Sequence, residues 1–463
     1  MEIIDELKKI VGDNVLSTQE DFIPYVKDAS FFTGTTPIAV VLPGNVEEVS
    51  KVLKFCNDNN IQVTIRGGGT SLTGSSILSS EGIILSMSRL DKILEINLED
   101  RYVVAEPGVR LDFLNSELAK YKFFYPPDPA SSLAATVGGS ISTNAGGLRA
   151  VMYGATKEWV MGLEVVIPDG SILQFGGKVL KRSSGYDLTA LMIGAEGTLG
   201  VITKAILKIA PLPEKTGRIM IYYKSIEQAG KAIAELKKSG ITPITAEFLD
   251  RISMDAITHT KGIKFLDGAE YLLIIDITST EESIDKKIHL AEDILKKTDL
   301  LDIKITTDPV EMDAMYQARK GLYSSQLGER EIPGEMVVIG DIVVPAHNLP
   351  NTLREAKKKV EEYGLKVALF GHIGDGNVHA SIYANLKDEE MMKRVNSFMM
   401  DFGRIALINE GSVSAEHGIG IEKLSLFEEE LKYKNTLKNM DIMKGIKKLF
   451  DPNNILNRGK IFK

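Results

Sequence analysis

One cysteine, Cys56, occurs among 463 residues. A lone thiol excludes an internal disulfide and cannot hold an iron–sulfur cluster by itself. Aromatic side chains make up only 7% of the chain, and no block of Lys and Arg is interleaved with them, so a nucleic-acid partner is not expected. Apolar runs such as YLLIIDI stay far below the roughly 18 residues of a spanning helix, so no transmembrane segment is expected either. The opening MEIIDELKKIVGDN is amphipathic and acidic, without the basic-then-apolar order of a signal peptide, and a cytoplasmic protein is the plain expectation. Histidine is scarce too: all six lie at or beyond His259.

What is present has the make-up of a globular protein: 44% hydrophobic residues, with 55 basic against 63 acidic side chains for a net charge of −8. A chain this long exceeds one ordinary core. Residues 1–35 read as a helical lead-in. Residues 36–212 are glycine-rich, and short β runs (IAVVLP, IQVTIRGGG, GIILSM, YVVAEPG, LEVVIPDG, GVITKAILKI) alternate with helices such as VEEVSKVLKFCNDNN, which places Cys56 on a buried face. PLPEK, near 211–215, marks a boundary. Residues 213–415 carry longer helices and strands, predicting an α+β domain with an antiparallel sheet. Residues 416–463 form a closing segment.

Three glycine-rich stretches stand out. A strand over 61–65 runs into RGGGTSLTG, Arg66 to Gly74. Successive glycines let backbone N–H groups turn toward one anion, with Thr70, Ser71 and Thr73 adding hydroxyls. The spacing is not that of a Rossmann turn, and no amphipathic helix opens directly after it, which disfavours NAD. PPDPASSLAATVGGSISTNAGG, Pro126 to Gly147, has almost no large side chains, as a surface approached closely by a long flat ligand would require; Leu133, Val137 and Ile141 fall at roughly helical spacing within it. GAEGTLGVITKAILKI places a third glycine-bracketed turn, 194–200, before a strand.

The histidines concentrate in two motifs. In VALFGHIGDGNVHASIY, a two-residue Asp375-Gly376 turn would pair His372 with His379. Directly opposed residues hold their Cβ atoms about 5 Å apart, suited to two imidazoles sharing one cation. The other face would carry Leu369, Ile373, Val378 and Ile382. In SAEHGIGIEK, Glu416 and His417 stand among small residues. Two imidazoles plus one carboxylate suit Zn²⁺, Fe²⁺ or Mn²⁺, although the sequence alone does not bring the two motifs together.

These stretches, with the closing FDPNNILNRGKIF, resemble the vanillyl-alcohol-oxidase (PCMH) type of FAD-binding family, in the branch of D-lactate dehydrogenases, glycolate oxidase catalytic subunits and D-2-hydroxyglutarate dehydrogenases. The resemblance runs from about Pro37 to the C-terminus; Arg458 stands where that family usually has proline. It implies a PCMH-type two-subdomain FAD-binding domain followed by an α+β substrate (cap) domain, with 416–463 returning to the flavin. It implies Arg66, Gly67, Gly68, Gly69, Thr70, Ser71 and Gly74 around the pyrophosphate, and Pro107, Asp128, Thr136, Gly138, Gly139, Ser142, Asn144 and Gly146 around the flavin. Glu196, Gly200 and Ile202 belong to the third stretch, and Asn457 to the tail. No histidine precedes His259, so FAD attached through a first-domain histidine is excluded and non-covalent FAD is expected.

The same resemblance implies His372, His379 and Glu416 as ligands of a divalent metal, His417 as catalytic base, and Arg319, in YQARKGLYSS, as the clamp on the substrate carboxylate. Some relatives carry a lysine near the position of Ile339, and its absence points to a smaller acid. The expected reaction is oxidation of a small D-2-hydroxy acid, D-lactate first, by hydride transfer to flavin N5, with electrons passed to an external acceptor. That acceptor is expected to be an electron-transfer flavoprotein, with a quinone or an iron–sulfur subunit as alternatives. Glycolate or another D-2-hydroxy acid as substrate, an alkylglycerone-phosphate-synthase-like transferase, and a non-redox metallohydrolase are the competing readings; homo-oligomerisation stays open.

Overall fold

The computed structural model describes residues 2–330 and 335–462, leaving the side chains of 317–320 outside the description. Contacts divide the chain into two units. The first comprises Met1–Gly146, Ala155–Leu212 and Glu416–Lys463; the second comprises Gly147–Gly154 and Pro213–Ala415. Among the described residues no helix is long and apolar enough to cross a membrane.

In the first unit, β1 (Val15–Leu16), β2 (Ala39–Val41), β3 (Gln62–Arg66) and β4 (Gly82–Ser86) form a sheet of order β1-β2-β4-β3, in which β2, β4 and β3 are parallel. Helix Val46–Asp58 starts where Asn45 accepts the amide of Glu48 and buries Val49, Val52, Leu53 and Cys56 on one stripe. Burial pushes the Cys56 thiol up to about 12, so it stays an unreactive packing group. Residues 1–35 are more than a helical lead-in. Helices Glu2–Val11 and Gln19–Phe22 flank β1, which pairs with β2, and Leu7, Val11 and Val15 join the core of that sheet.

A second, antiparallel sheet has the order β5-β6-β10-β8-β9, built from β5 (Ile93–Asn97), β6 (Tyr102–Ala105), β8 (Val160–Val166), β9 (Ile172–Gly176) and β10 (Val201–Lys208). A short pair, β7 (Phe123–Phe124) with β11 (Ala210–Pro211), completes the strands of this unit among the described residues.

The second unit is built on one seven-stranded antiparallel sheet of order β15-β12-β14-β13-β17-β18-β16. Its strands are β12 (Lys215–Tyr223), β13 (Thr245–Asp250), β14 (Tyr271–Ser279), β15 (Asp302–Thr306), β16 (Glu335–Val343), β17 (Val367–His372) and β18 (Asn377–Asn385). One face sends Met220, Tyr222, Leu249, Leu272, Ile274 and Phe370 into a core with Met254 and Ile257 of helix Arg251–Lys261, Met315 of helix Pro309–Lys320 and Leu322 of helix Leu322–Gly328. On the same face a buried bidentate pair joins Arg218 to Asp276, with two N···O distances of 2.6 Å. The guanidinium also lies 4.8 Å from the Tyr316 ring centroid and donates to the carbonyl of Met312. It therefore fastens helix Pro309–Lys320 to the sheet.

Removing one member of a buried pair leaves the other charge without compensation. Arg218→Met is expected to destabilise the second unit by about 3–5 kcal/mol, read as a lower urea midpoint; an unchanged midpoint would show that the pair contributes nothing.

Candidate active site

The face of the seven-stranded sheet that carries Arg218 also carries both histidines of the HIGDGNVH motif. The hairpin differs from the two-residue turn expected. His372 pairs with Asn377, Gly371 with Val378, and Phe370 with His379, so the connection is the four residues 373–376. The reason is conformational. A two-residue type I′ turn needs positive φ at both central positions, and Gly376 has it (φ +87°) while Asp375 does not. The amides of Asp375 and Gly376 instead both reach the His372 carbonyl, and the Asp375 carboxylate accepts the Asn377 amide. A Cβ at 376 would fall 1.9 Å from the Val344 carbonyl oxygen.

The register shift turns a direct pair into a diagonal one. His372 and His379 still share a face, with ring centroids 5.3 Å apart and the rings at 88°, and one ring nitrogen of each lies within 4.8 Å of the other. Leu369, Val378 and Ile382 occupy the opposite face and are buried, whereas Ile373 lies in the turn.

Each imidazole is backed by a carboxylate from the strand beside it. Glu247 on β13 places Oε1 2.5 Å from His372 Nδ1. Asp341 on β16, cross-strand partner of His379, places Oδ1 3.6 Å from His379 Nδ1. All four side chains are buried. The Glu247 carboxylate favours the proton on His372 Nδ1 and leaves Nε2 a lone pair, which is how metal-ligating histidines are oriented. Asp341 also accepts Asn377 Nδ2 at 2.8 Å and the amide of Ala415 at 2.9 Å; Ala415 directly precedes Glu416 in the chain.

Glu416 and His417 belong to the first unit. His417 Nε2 is 3.8 Å from Glu416 Oε1. Gly146, expected at the flavin, leaves space for that carboxylate, because a Cβ there would lie 2.8 Å from Glu416 Oε2. The His417 carbonyl accepts Thr73 Oγ1 at 3.2 Å, and Glu196 accepts the amides of Ile419 and Gly420 at 2.7 and 2.8 Å. Burial raises the carboxyl of Glu196, and those two N–H groups oppose the rise.

The three glycine-rich stretches meet within this unit. Gly68 packs so tightly on the second stretch that a Cβ would fall 2.0 Å from the Ala134 carbonyl oxygen. Thr136 caps helix Val137–Thr143 by accepting the Gly139 amide, Ser142 Oγ donates to the Gly138 carbonyl, and Asn144 ends the helix at φ +51°. The Glu196 amide donates to the Ser142 carbonyl at 2.7 Å, tying the third stretch to the second. Gly138 lies against Pro107, Gly200 against Val165, and Ile202 is in the core. Gly67, Gly69, Thr70, Ser71, Asp128, Gly138, Gly139, Ser142 and Asn144 remain part-exposed, and Gly68 is exposed. They present a surface of backbone and hydroxyl groups that fits a flat dinucleotide.

Several expected cofactor residues serve the scaffold with their side chains. The Arg66 guanidinium donates to the carbonyls of Pro24, Lys27 and Ser76. Asn457 accepts the Ile65 amide and donates to the Glu196 carbonyl, and Gly74 lies against Ile421. Leu133 does not share the buried stripe of Val137 and Ile141; it is 65% exposed ahead of the helix. Arg319 lies on helix Pro309–Lys320, and its side chain falls outside the described set.

Glu247 and Asp341, the carboxylates beside the two histidines, are residues that the motifs did not flag. Asp341 is the single charge in VVIGDIVVP, and Glu247 shares the strand run ITAEFLD with Asp250; a buried charge in an apolar run is itself a signal. Glu247→Gln and Asp341→Asn are each expected to weaken divalent-metal binding by about ten- to a hundredfold, measured as metal retained against a competing chelator; retention equal to wild type would remove the carboxylates from the site.

Comparison with known proteins supplies the family. The model of the FAD binding domain matches residues 37–176, and that of the FAD linked oxidases, C-terminal domain, matches residues 212–461. A D-lactate dehydrogenase of Archaeoglobus fulgidus is 35% identical over 100% of this chain and 99% of its own length. Glycolate oxidase subunit GlcD of Bacillus subtilis is 32% identical over 100% and 97%. Among solved structures, p-cresol methylhydroxylase superposes with a TM-score of 0.80 at 18% identity, covering 99% of this chain and 96% of that one. Alkyldihydroxyacetonephosphate synthase gives 0.74 at 19%, covering 98% and 84%. These two likenesses concern the fold. The chain belongs to the FAD-linked oxidases and has the p-cresol methylhydroxylase type of FAD-binding fold.

Proposed function

We propose that this FAD-linked oxidoreductase is a D-2-hydroxyacid dehydrogenase that converts D-lactate to pyruvate. The observation that carries the reading is the pair of carboxylate-backed histidines on one sheet face, His372 with Glu247 and His379 with Asp341. Relatives named D-lactate dehydrogenase and glycolate oxidase support the substrate class. On the same face Ile339 pairs with Ser381, giving a longer acid no cation to hold a second carboxylate, which favours a small substrate.

His372, His379 and Glu416 are assigned to a divalent cation, which when bound lowers the pKa of a hydroxyl beside it. FAD, when bound, supplies the two-electron acceptor for the hydride leaving the substrate carbon. Arg319 holds the substrate carboxylate by paired N–H donors, on a helix fixed to the sheet by Arg218. His417 takes the hydroxyl proton, with Thr73 bonded to its carbonyl and Glu196 to the Ile419 amide that follows. For the electrons that leave the reduced flavin, an electron-transfer flavoprotein is proposed as the separate acceptor.

Dye reduction by the FAD- and metal-loaded protein should be fastest with D-lactate, slower with glycolate and absent with L-lactate. Chelation should abolish it. His417→Ala is expected to lower kcat by about 10²–10⁴-fold with FAD still bound; near wild-type turnover in that variant would remove His417 as base, and preference for another acid would change the substrate.

A further inference from the structure

The first glycine-rich loop has no cation of its own beyond its first residue: Gly67 to Ser80 contains neither Lys nor Arg. Arg66 gives its guanidinium to three carbonyls. One of these is Ser76 within the loop, and a second positive charge bonded to the loop comes from the far end of the chain. Lys460 is buried, and its ammonium donates to the carbonyls of Gly74 and Ile77 at 2.7 and 2.8 Å and to Ser79 Oγ at 2.9 Å. An ammonium has three N–H groups, and these three acceptors all belong to one loop.

Lys460 is one of three anchors in the same tail. Asn457 ties the Ile65 amide to the Glu196 carbonyl, and Leu456 makes a parallel bridge with Val63. Lys447, paired with Asp451, donates to the carbonyls of Thr198 and Leu456, and Asp451 accepts the amides of Ile455 and Leu456. Residues 447–460 thus hold the first and third glycine-rich stretches together.

We propose that this C-terminal segment is a strap that sets FAD affinity, with Lys460 as the positioning residue that fixes loop 74–79 and supplies it with a buried positive charge. The proposal rests on FAD binding by the first unit and is independent of which hydroxy acid is oxidised. Burying an ammonium is costly, and an apolar side chain would fill the same space without that cost, so the charge has a use. Asp28 and Glu196 are the acidic groups that favour its charged form, and burial outweighs them, bringing Lys460 down to about 8. Asp28 in turn accepts the amide and hydroxyl of Ser76.

A bound pyrophosphate is favoured by the protonated form, so FAD binding must weaken as the apoprotein loses this proton. The test is titration of full-length apoprotein with FAD, followed by flavin fluorescence, on both sides of pH 8. Wild type should bind progressively more weakly above that pH. Lys460→Arg, which keeps its charge, should bind with no such fall. Lys460→Met should bind about ten- to a hundredfold more weakly at neutral pH. A wild-type affinity that is flat across pH 8 and equal to that of Lys460→Arg would overturn the proposal, as would wild-type affinity in Lys460→Met. The wild-type and arginine titrations decide the matter even if the methionine variant fails to fold.

Discussion

A buried imidazole can hold a cation only if its second nitrogen is satisfied and its ring is kept from turning. In this protein an adjacent strand meets the first requirement for His372, whose Nδ1 lies 2.5 Å from Glu247 Oε1, while Asp341 Oδ1 stands 3.6 Å from His379 Nδ1, beyond hydrogen-bond distance. His372 and His379 stand on β17 and β18, and the two flanking strands, β13 and β16, bring Glu247 and Asp341 to their Nδ1 atoms. Four neighbouring strands of one antiparallel sheet thus place the two imidazoles and the two carboxylates on one face. Asp341 does a second service by accepting the Ala415 amide at the end of the second unit. The opposite face of β17 and β18 is packed with Leu369, Val378 and Ile382, so the polar row cannot slip without taking a core stripe with it.

In the first unit glycine acts through close approach rather than looseness. Gly68 against Ala134 and Gly146 against Glu416 leave no space for a Cβ, and the second and third stretches are laced by the Glu196 amide on the Ser142 carbonyl. The result is a rigid surface poor in side chains, framed by residues whose polar groups are spent on backbone: Arg66, Glu196, Asn457 and Lys460. A ligand meeting that surface contacts main chain and small hydroxyls, which suits a long dinucleotide better than a compact substrate.

Much of this was legible in the residues. Short β-rich apolar runs marked β2, β3, β4, β6, β8 and β10, and helical spacing marked Val46–Asp58, because both patterns are local. β5 and β9 were missed: their residues alternate only weakly and are half-exposed. The histidine hairpin was recognisable, yet its register was not, since the turn length depends on the φ of Asp375, which no composition rule reveals. Glu247 lies 125 residues before His372, so their pairing is a property of sheet order. Arg66 and Glu196 share the glycine-rich motifs with groups open to a ligand, and only three-dimensional contacts separate the residues that frame the surface from those that form it.

An anaerobic visible spectrum of the FAD- and metal-loaded protein, recorded before and after D-lactate and, separately, L-lactate, is the most direct test of the central claim. Bleaching of the oxidised-flavin absorption by D-lactate alone is the predicted result. A flavin that stays oxidised with D-lactate, or that L-lactate reduces equally well, would contradict it.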